Sequence, residues 1–286
     1  MQQLSTALRN AVNAGNPQRV LLKFGNEELS NEDIVMSTGV SLNEEFNPEE
    51  ELTIGTCPSS TLSFDLLNDN GQLADFEFGW FTAYLGARID SGTPTEITRT
   101  FTEDGQTKTY AFSPIGTFYA EKPMILAKKI ISIAAFDKMV LLEQDMPSST
   151  TLGITYPTTL ASIFTAICTY LSVTYTSATF LNYDLAVSQE PKEFRNAKIR
   201  DVIGWIAECA CSIARFNRNG DLELAWFSVS GASYNESGYS EFSPAWYATE
   251  SIDGLYVRDT DNNTETATGN SLLNNYLILD NPFLKG

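Results

Sequence analysis

The residues best suited to chemistry in this 286-residue chain are four cysteines, a few carboxylate clusters and a dense run of aromatic rings. Cys209 and Cys211 stand one residue apart in "IRDVIGWIAECACSIARFNRNGDLEL", Ile199 to Leu224, as a metal or redox pair might. Helix geometry argues against that pairing. Ile199, Val202, Ile203, Ile206, Ala207 and Ala210 recur at the spacing of one apolar helix face. Two positions apart on such a helix means roughly 160° of rotation, so the thiols flank the stripe on opposite sides and cannot grip one ion. Cys57 and Cys168 are remote and form no C-x-x-C pair. The thiols are read as small buried hydrophobes, the common fate of free cysteine.

The carboxylate clusters fare no better as chemistry. A glycan-hydrolysing pair needs two carboxyls facing each other across a substrate, one of them held protonated. The run Glu44 to Glu51 reads instead as a solvated, self-repelling loop. "DTDNNTETATGN", from Asp259, alternates Asp259, Asp261 and Asn263 as a calcium loop does. Thr264 stands where that loop needs Gly, and Asn270 where it needs Glu. Asn235 and Asn262 begin glycosylation-type triplets, which carry no meaning without export. The rings Phe76, Phe78, Trp80, Phe81 and Tyr84 fit a β core or a subunit interface, and less well the sugar platform of an adhesin. The absence of histidine removes Ser-His and Cys-His nucleophile pairs and His-ligated zinc. No residue is therefore assigned a catalytic, cofactor-binding or metal role, no cofactor is expected, and the expected function is not enzymatic.

Whole-chain properties narrow the partners. The formal charge is −18, a field that repels phosphate and anionic lipid, so specific nucleic-acid binding is not expected. The same charge keeps a soluble protein from aggregating. There is no run of eighteen apolar residues and the first twenty residues lack the apolar core of a signal peptide. Folding in a reducing cytoplasm, without membrane insertion, is the expectation.

The elements that must position these residues are mostly strands. "RVLLKF" reads as a strand, "GNEELSNED" as a polar turn, and "TLSFDLLN" as a strand with Leu62, Phe64 and Leu66 on one face. Asp104-Gly105 sits between two β-rich runs, and a type I′ turn there sets Arg99 opposite Tyr110 and Phe101 opposite Lys108. Ile115 to Tyr119 and Ile130 to Phe136 add strand-like material. The texture then changes: Leu160, Ile163, Phe164, Ile167 and Leu171 have helical spacing, with Pro157 and Thr158 or Thr159 as entry signals. The Ile199 helix follows, and its Gly204 costs about 1 kcal/mol against Ala, which points to a close approach by another element. Next comes a hairpin in which a turn at Asn219-Gly220 sets Arg218 opposite Asp221 and Ile213 opposite Trp226. Leu222, Leu224 and Trp226 are placed against the helix, closing a compact α/β unit over about 152–227. "IDGLYVRDT" and "NNYLILDNPFL" are read as strands around a polar loop.

Four phrases in this order resemble the tail-tip, or baseplate-hub, family of tailed phages. They are the Glu-Leu-x-x-Gly step of "ELTIG" before the alternating strand at Thr61, and the small-aromatic-Asp-x-Met turn of "AAFDKM". The third comprises Arg200-Asp201, Ile206-Ala207 and the Asn-x-x-Gly-x-Leu hairpin, and the fourth is the closing "LILDNPFL" with its Asn-Pro. The resemblance implies an α+β, mainly antiparallel β fold, in which two β-barrel-like tube domains carry an inserted small α/β module. The corresponding division is 1–125 for the first tube domain, 126–228 for the module and 229–286 for the second β domain. It further implies a homotrimer in the virion tail, assembled in the host cytoplasm. Its partners would be the distal tail protein or tail tube, the tape-measure protein and host-facing fibres or spikes. DNA would pass through without specific binding, which an acidic channel favours. Family members usually continue beyond the closing strand, so a chain that stops at Gly286 reads either as a short hub completed by another chain or as the N-terminal part of a longer one. The rival readings are a carbohydrate-binding adhesin and, behind it, a carboxylate-based cell-wall hydrolase.

Overall fold

The computed structural model describes residues 4–44, 54–71, 73, 76–123, 129–225, 254–258, 264–268 and 281–283. Its first part is α1 (Thr6–Asn13) and eight strands: β1 (Gln18–Phe24), β2 (Glu27–Ser30), β3 (Val40–Glu44), β4 (Ser60–Leu67), β5 (Trp80–Arg88), β6 (Ile97–Glu103), β7 (Gln106–Ala120) and β8 (Ile130–Asp137). All pair antiparallel in the order β2-β1-β5-β7-β8-β4-β3, with β6 on β7. The fold is thus α+β and mainly antiparallel β.

Alternation explains the sheet. On β4 and β8 every second residue is buried, with Leu62, Phe64, Leu66, Ile131, Ile133 and Ala135 on one face. Leu22 and Phe24 of β1, far along the path, join the same core. Phe81 makes the connection, stacked on Phe24 with centroids 4.3 Å apart and meeting Phe64 edge-on at 5.9 Å. Side chains from distant strands can share one core only if the sheet curls around it. The stretch between β2 and β3 follows the curl, with Ile34 bridging Leu66 and Val35 N donating to Asp65 O. Each large side chain buried here contributes about 1.5–3 kcal/mol. Among the described residues the end strands β2 and β3 are not hydrogen-bonded to each other.

The β6–β7 hairpin has the expected register, Arg99 opposite Tyr110 and Phe101 opposite Lys108, with Asp104 and Gly105 both at positive φ. A latch fastens it to β1. The Arg19 guanidinium lies 4.2 Å over the Phe101 ring, donates to Glu103 at 2.9–3.0 Å and pairs with Glu32 at 2.6 Å, while Tyr110 Oη also donates to Glu103. Arg99 forks onto Glu28 beside it. The hydrogen bond from Tyr110, then those from Arg19, hold the Glu103 pKa below the ordinary glutamate value of 4.5. Glu28 is lowered chiefly by its hydrogen bond from Arg99. At Glu32 burial pulls upward, but hydrogen bonds from Ser30 and Arg19 prevail and the pKa falls. Carboxylates with depressed folded-state pKa values stabilise fully above the unfolded value and lose that contribution as pH falls through the folded one. Arg19→Met is expected to cost about 2 kcal/mol at neutral pH. Urea midpoints measured down to about pH 3 should show that cost shrinking as Glu32 and Glu103 protonate.

The second part carries a separate core. A 3₁₀ turn, Lys138–Glu143, leads to α2 (Ser149–Leu152), β9 (Thr158–Thr159), α3 (Leu160–Tyr170), β10 (Ala186–Val187), a 3₁₀ turn at Lys192–Asn196, α4 (Ile199–Cys209), β11 (Ile213–Phe216) and β12 (Leu222–Ala225). The helical stripes are as spaced in sequence: Leu160, Ile163, Phe164 and Ile167 face Ile199, Val202, Ile203 and Ile206, all fully buried. Thr159 Oγ1 caps α3 by accepting from Ser162 N.

Three expectations need correction. The turn "GNEELSNED" contains β2, overlooked because three of its four residues are polar and only Leu29 faces the core. The β11–β12 register is one residue off: Ile213 pairs with Ala225, and Asn217 N donates to Asp221 O. Gly220 alone takes the left-handed conformation, as in a three-residue loop with a bulge, so Arg218 does not face Asp221 and instead lies 3.6 Å from Glu44. The third is the polar loop after Asp259, where β14 (Thr264–Thr268) pairs with β13 (Gly254–Arg258); alternate threonines supply its β-propensity. Trp226, residues 45–53 of the acidic run and the "YLIL" of the closing phrase lie outside the described residues.

Candidate functional site

The structure brings residues of all four phrases to one place, the joint between the sheet and the helical core. Its axis is a stripe of α4 at i, i+4 and i+8: Arg200, Gly204 and Glu208. Residues 54–57 run along this stripe before β4 begins. Gly55 N donates to Ser212 O at 2.8 Å and Ala214 N to Thr56 O at 2.9 Å, so the segment adds to β11 as a short strand would. Arg200 donates through Nε and Nη2 to Cys57 O at 3.1 and 2.5 Å and pairs with Glu143. Its neighbour Asp201 accepts from Lys198 N and caps the helix start.

Two glycines set the closeness of this contact. A Cβ on Gly204 would lie 2.8 Å from Gly55 O, which is the close approach its cost in a helix foretold. Gly55 has φ +79°, and a Cβ there would lie 2.9 Å from Glu208 Cβ. Both contacts run into the opposite element at distances that real Cβ atoms do not tolerate.

Asp137 makes the second connection. It ends β8 and is 5% exposed. Its carboxylate accepts from Ser60 N at 2.8 Å and from Ser59 Oγ and Met139 N at 3.0 Å each. It thereby ties the start of β4 to the end of β8 and caps the 3₁₀ turn that carries Met139 and Leu142 into the second core. Burial raises its pKa, and the hydrogen bonds pull against that rise.

The hairpin and the closing phrase complete the joint. Asn217 Oδ1 accepts from Asn219 N and Asp221 N, shaping the loop so that Gly220 O accepts from Lys138 Nζ at 2.8 Å and Gly220 rests on Thr117 of β7. Asn281, 1% exposed, donates to Trp205 O at 2.7 Å and Glu208 Oε2 at 2.8 Å and accepts from Phe283 N. Phe283 then packs on Phe194.

This arrangement holds elements together through backbone and side-chain hydrogen bonds. The Cys57, Cys168 and Cys209 thiols are pushed up to about 12 by burial, and Cys211 is raised for the same reason, so all four are protonated at neutral pH. The helix ends at Cys209, and Cys211 sits beyond it with φ +51°, so the rotation argument does not apply to the pair. Cys209 fills the core and Cys211 lies half-buried. No group of three or more metal-ligating side chains occurs among the described residues. The five aromatic residues do not form one platform either. Phe76, Phe78 and Phe81 pack with Phe24 in the sheet core, Tyr84 packs beside Tyr110 and Phe112, and Trp80 faces outward. Sequence reasoning placed Gly55, Asp137, Arg200 and Asn281 inside its phrases without their roles; the one advance signal was Gly204.

No protein-family model and no curated protein matches the chain. Among solved structures it is similar to the 43 kDa tail protein of prophage MuSo2 from Shewanella oneidensis, with a TM-score of 0.43 and 11% identity, covering 75% of this chain and 57% of that one. It is also similar to the tail protein from Neisseria meningitidis MC58, with a TM-score of 0.39 and 13% identity, covering 89% of this chain and 67% of that one. Both of these neighbours are tail proteins, and the chain spans little more than half the length of the first.

Proposed function

We propose that the chain is a structural subunit of a phage tail tip, a hub that works as a homotrimer, connects the tail tube to the host-facing apparatus and leaves a channel for DNA. In this reading residues 1–125 form a tube domain, 126–228 a module that braces it and 229–286 contribute to a second β domain. The distal tail protein or tube, the tape-measure protein and fibres or spikes are its neighbours. One observation supports this most: the four phrases that resemble those of the hub family meet in space. Gly55, Asp137, Arg200 with Gly220, and Asn281 come from four stretches of chain and build one joint. Chance matches to four degenerate phrases have no reason to converge in this way. A hub needs such a joint, since it bears load through the relative placement of its parts rather than through a cleft.

The reading predicts a solution mass of three times the 31.6 kDa chain mass by light scattering after size exclusion, and rings with a central opening in negative-stain images. A chain that stays monomeric over the whole accessible concentration range overturns it.

A further inference from the structure

The chain passes through the second core in β12, which ends at Ala225, and touches that core again at residues 281–283. The returning tripeptide, Asn-Pro-Phe, has a shape of its own. Pro282 fixes φ and offers no N–H. Asn281 Oδ1 accepts from Phe283 N at 3.0 Å, the local turn that asparagine forms with the backbone two residues on. The turn occupies the amide oxygen and leaves both hydrogens of Nδ2 for other partners. They go to Trp205 O at 2.7 Å and Glu208 Oε2 at 2.8 Å, both on α4. Phe283 meets Phe194 edge-on, with centroids 5.7 Å apart, and Phe194 stacks on Trp205. The tripeptide is sunk into this hollow, since Asn281, Pro282 and Phe283 are all buried.

We infer that the hollow between α4 and the 3₁₀ turn Lys192–Asn196 is a recognition site for an Asn-Pro-aromatic segment, filled in this chain by its own residues 281–283. Two acceptors, a helix carbonyl and a carboxylate, converge on one nitrogen, and a primary amide brings two hydrogens to a single nitrogen. Aspartate has the shape of asparagine and the opposite polarity: it would set an oxygen against both acceptors and a negative charge beside Glu208. The site therefore reads asparagine, and the ring of Phe283 adds the apolar anchor. Its occupation gives the stretch between Ala225 and Asn281, β13 and β14 included, two attachments to one core. Glu208 carries the effect to the joint, because its carboxylate holds Asn281 while its Cβ packs on Gly55. The inference goes beyond the hub reading and does not depend on it.

Hydrogen exchange of residues 278–286, followed by mass spectrometry in the full chain, tests the readout. Asn281→Asp is expected to speed exchange there by about ten-fold or more, the loss of a hydrogen bond to a charged group. Glu208→Gln in that background supplies an amide donor to the new carboxylate and should recover a good part of the protection. Mere filling of space predicts otherwise, since aspartate packs as asparagine does; exchange that Asn281→Asp leaves unchanged, or that Glu208→Gln does not restore, overturns the proposal. The second arm uses a fluorescent peptide of residues 278–286 and the full chain carrying Asn281→Asp and Phe283→Ala, which vacates the site. The peptide should bind this variant about ten-fold or more tighter than wild type, whose site is filled, and should lose that preference when it carries Asn281→Asp itself. Equal binding to both proteins, or none to the variant, means that the hollow is not a separable site. Either result leaves the hub reading in place.

Discussion

Asp137→Ala is expected to lower the unfolding free energy by about 3–5 kcal/mol at neutral pH. The carboxylate accepts from two backbone N–H groups, Ser60 N and Met139 N, and from the Ser59 hydroxyl. Hydrogen bonds to a charged group are worth about 1.5–3 kcal/mol each, and a donor left unpaired in the interior costs about 1–3 kcal/mol. Alanine removes all three bonds and strands both backbone donors at the point where β8 hands the chain to the second core. Asp137→Asn is the informative companion. It keeps the shape and one carbonyl acceptor, so a loss of about 1–3 kcal/mol is expected. Burial puts the folded-state pKa of Asp137 above its ordinary 3.8. Such a group contributes stability that is complete below 3.8 and declines as pH rises through the folded value. Since asparagine does not titrate, wild type should exceed Asp137→Asn most in acid, with the gap narrowing toward neutrality. Urea midpoints across that range test both the bonds and the sign; a gap that widens with pH means the hydrogen bonds from Ser60, Met139 and Ser59 outweigh desolvation and hold the folded-state pKa below the ordinary value.

Periodicity made much of the fold legible, and failed where packing overrides it. β4, β8, α3 and α4 were readable because their apolar residues keep strict periods of 2 or 3.6 and each element buries one face. The Asp104-Gly105 turn was readable because two consecutive residues at positive φ leave few other sequences. β5 was not. Where β7 inserts Ile115 between the partners of Ala83 and Tyr84 the face of β5 leaves the core, so Leu85 is exposed and Gly86 lies beneath the Phe112 ring, and the strand shows no clean apolar period. The β11–β12 register misled for a related reason. Asn-Gly suits both a two-residue and a three-residue loop, and the choice was made by Asn217, whose side chain holds the backbone of Asn219 and Asp221.

The joint was legible only in fragments. Its residues come from four places in the chain, and each looks ordinary alone: a glycine before a strand, an aspartate after one, an arginine opening a helix, an asparagine before proline. Their meaning lies in distances between segments about 60 to 150 residues apart, which no local period encodes. The i, i+4, i+8 spacing of Arg200, Gly204 and Glu208 was available in the sequence. It is invisible to hydrophobic patterning because none of the three is apolar.

Gly204→Ala separates packing from propensity, because the two predict opposite signs. In an exposed helix this change stabilises by about 1 kcal/mol. Here the new methyl lies 2.8 Å from Gly55 O, a backbone atom of the segment hydrogen-bonded to β11. That oxygen can move only if residues 54–57 leave Ser212 and Ala214 or the helix shifts within its core. Overpacking of this kind costs about 1–3 kcal/mol, so a net loss of about 1–2 kcal/mol is expected, and a gain in stability means the elements do not touch. Gly55→Ala adds the strain of φ +79° to a 2.9 Å contact with Glu208 and should cost more. The double variant carries the argument furthest. Once either methyl has forced the seam apart, the other meets less resistance, so the combined loss should fall short of the sum by about 0.5 kcal/mol or more. Full additivity in denaturant midpoints implies two independent sites, and then residues 54–57 do not brace α4 against the sheet.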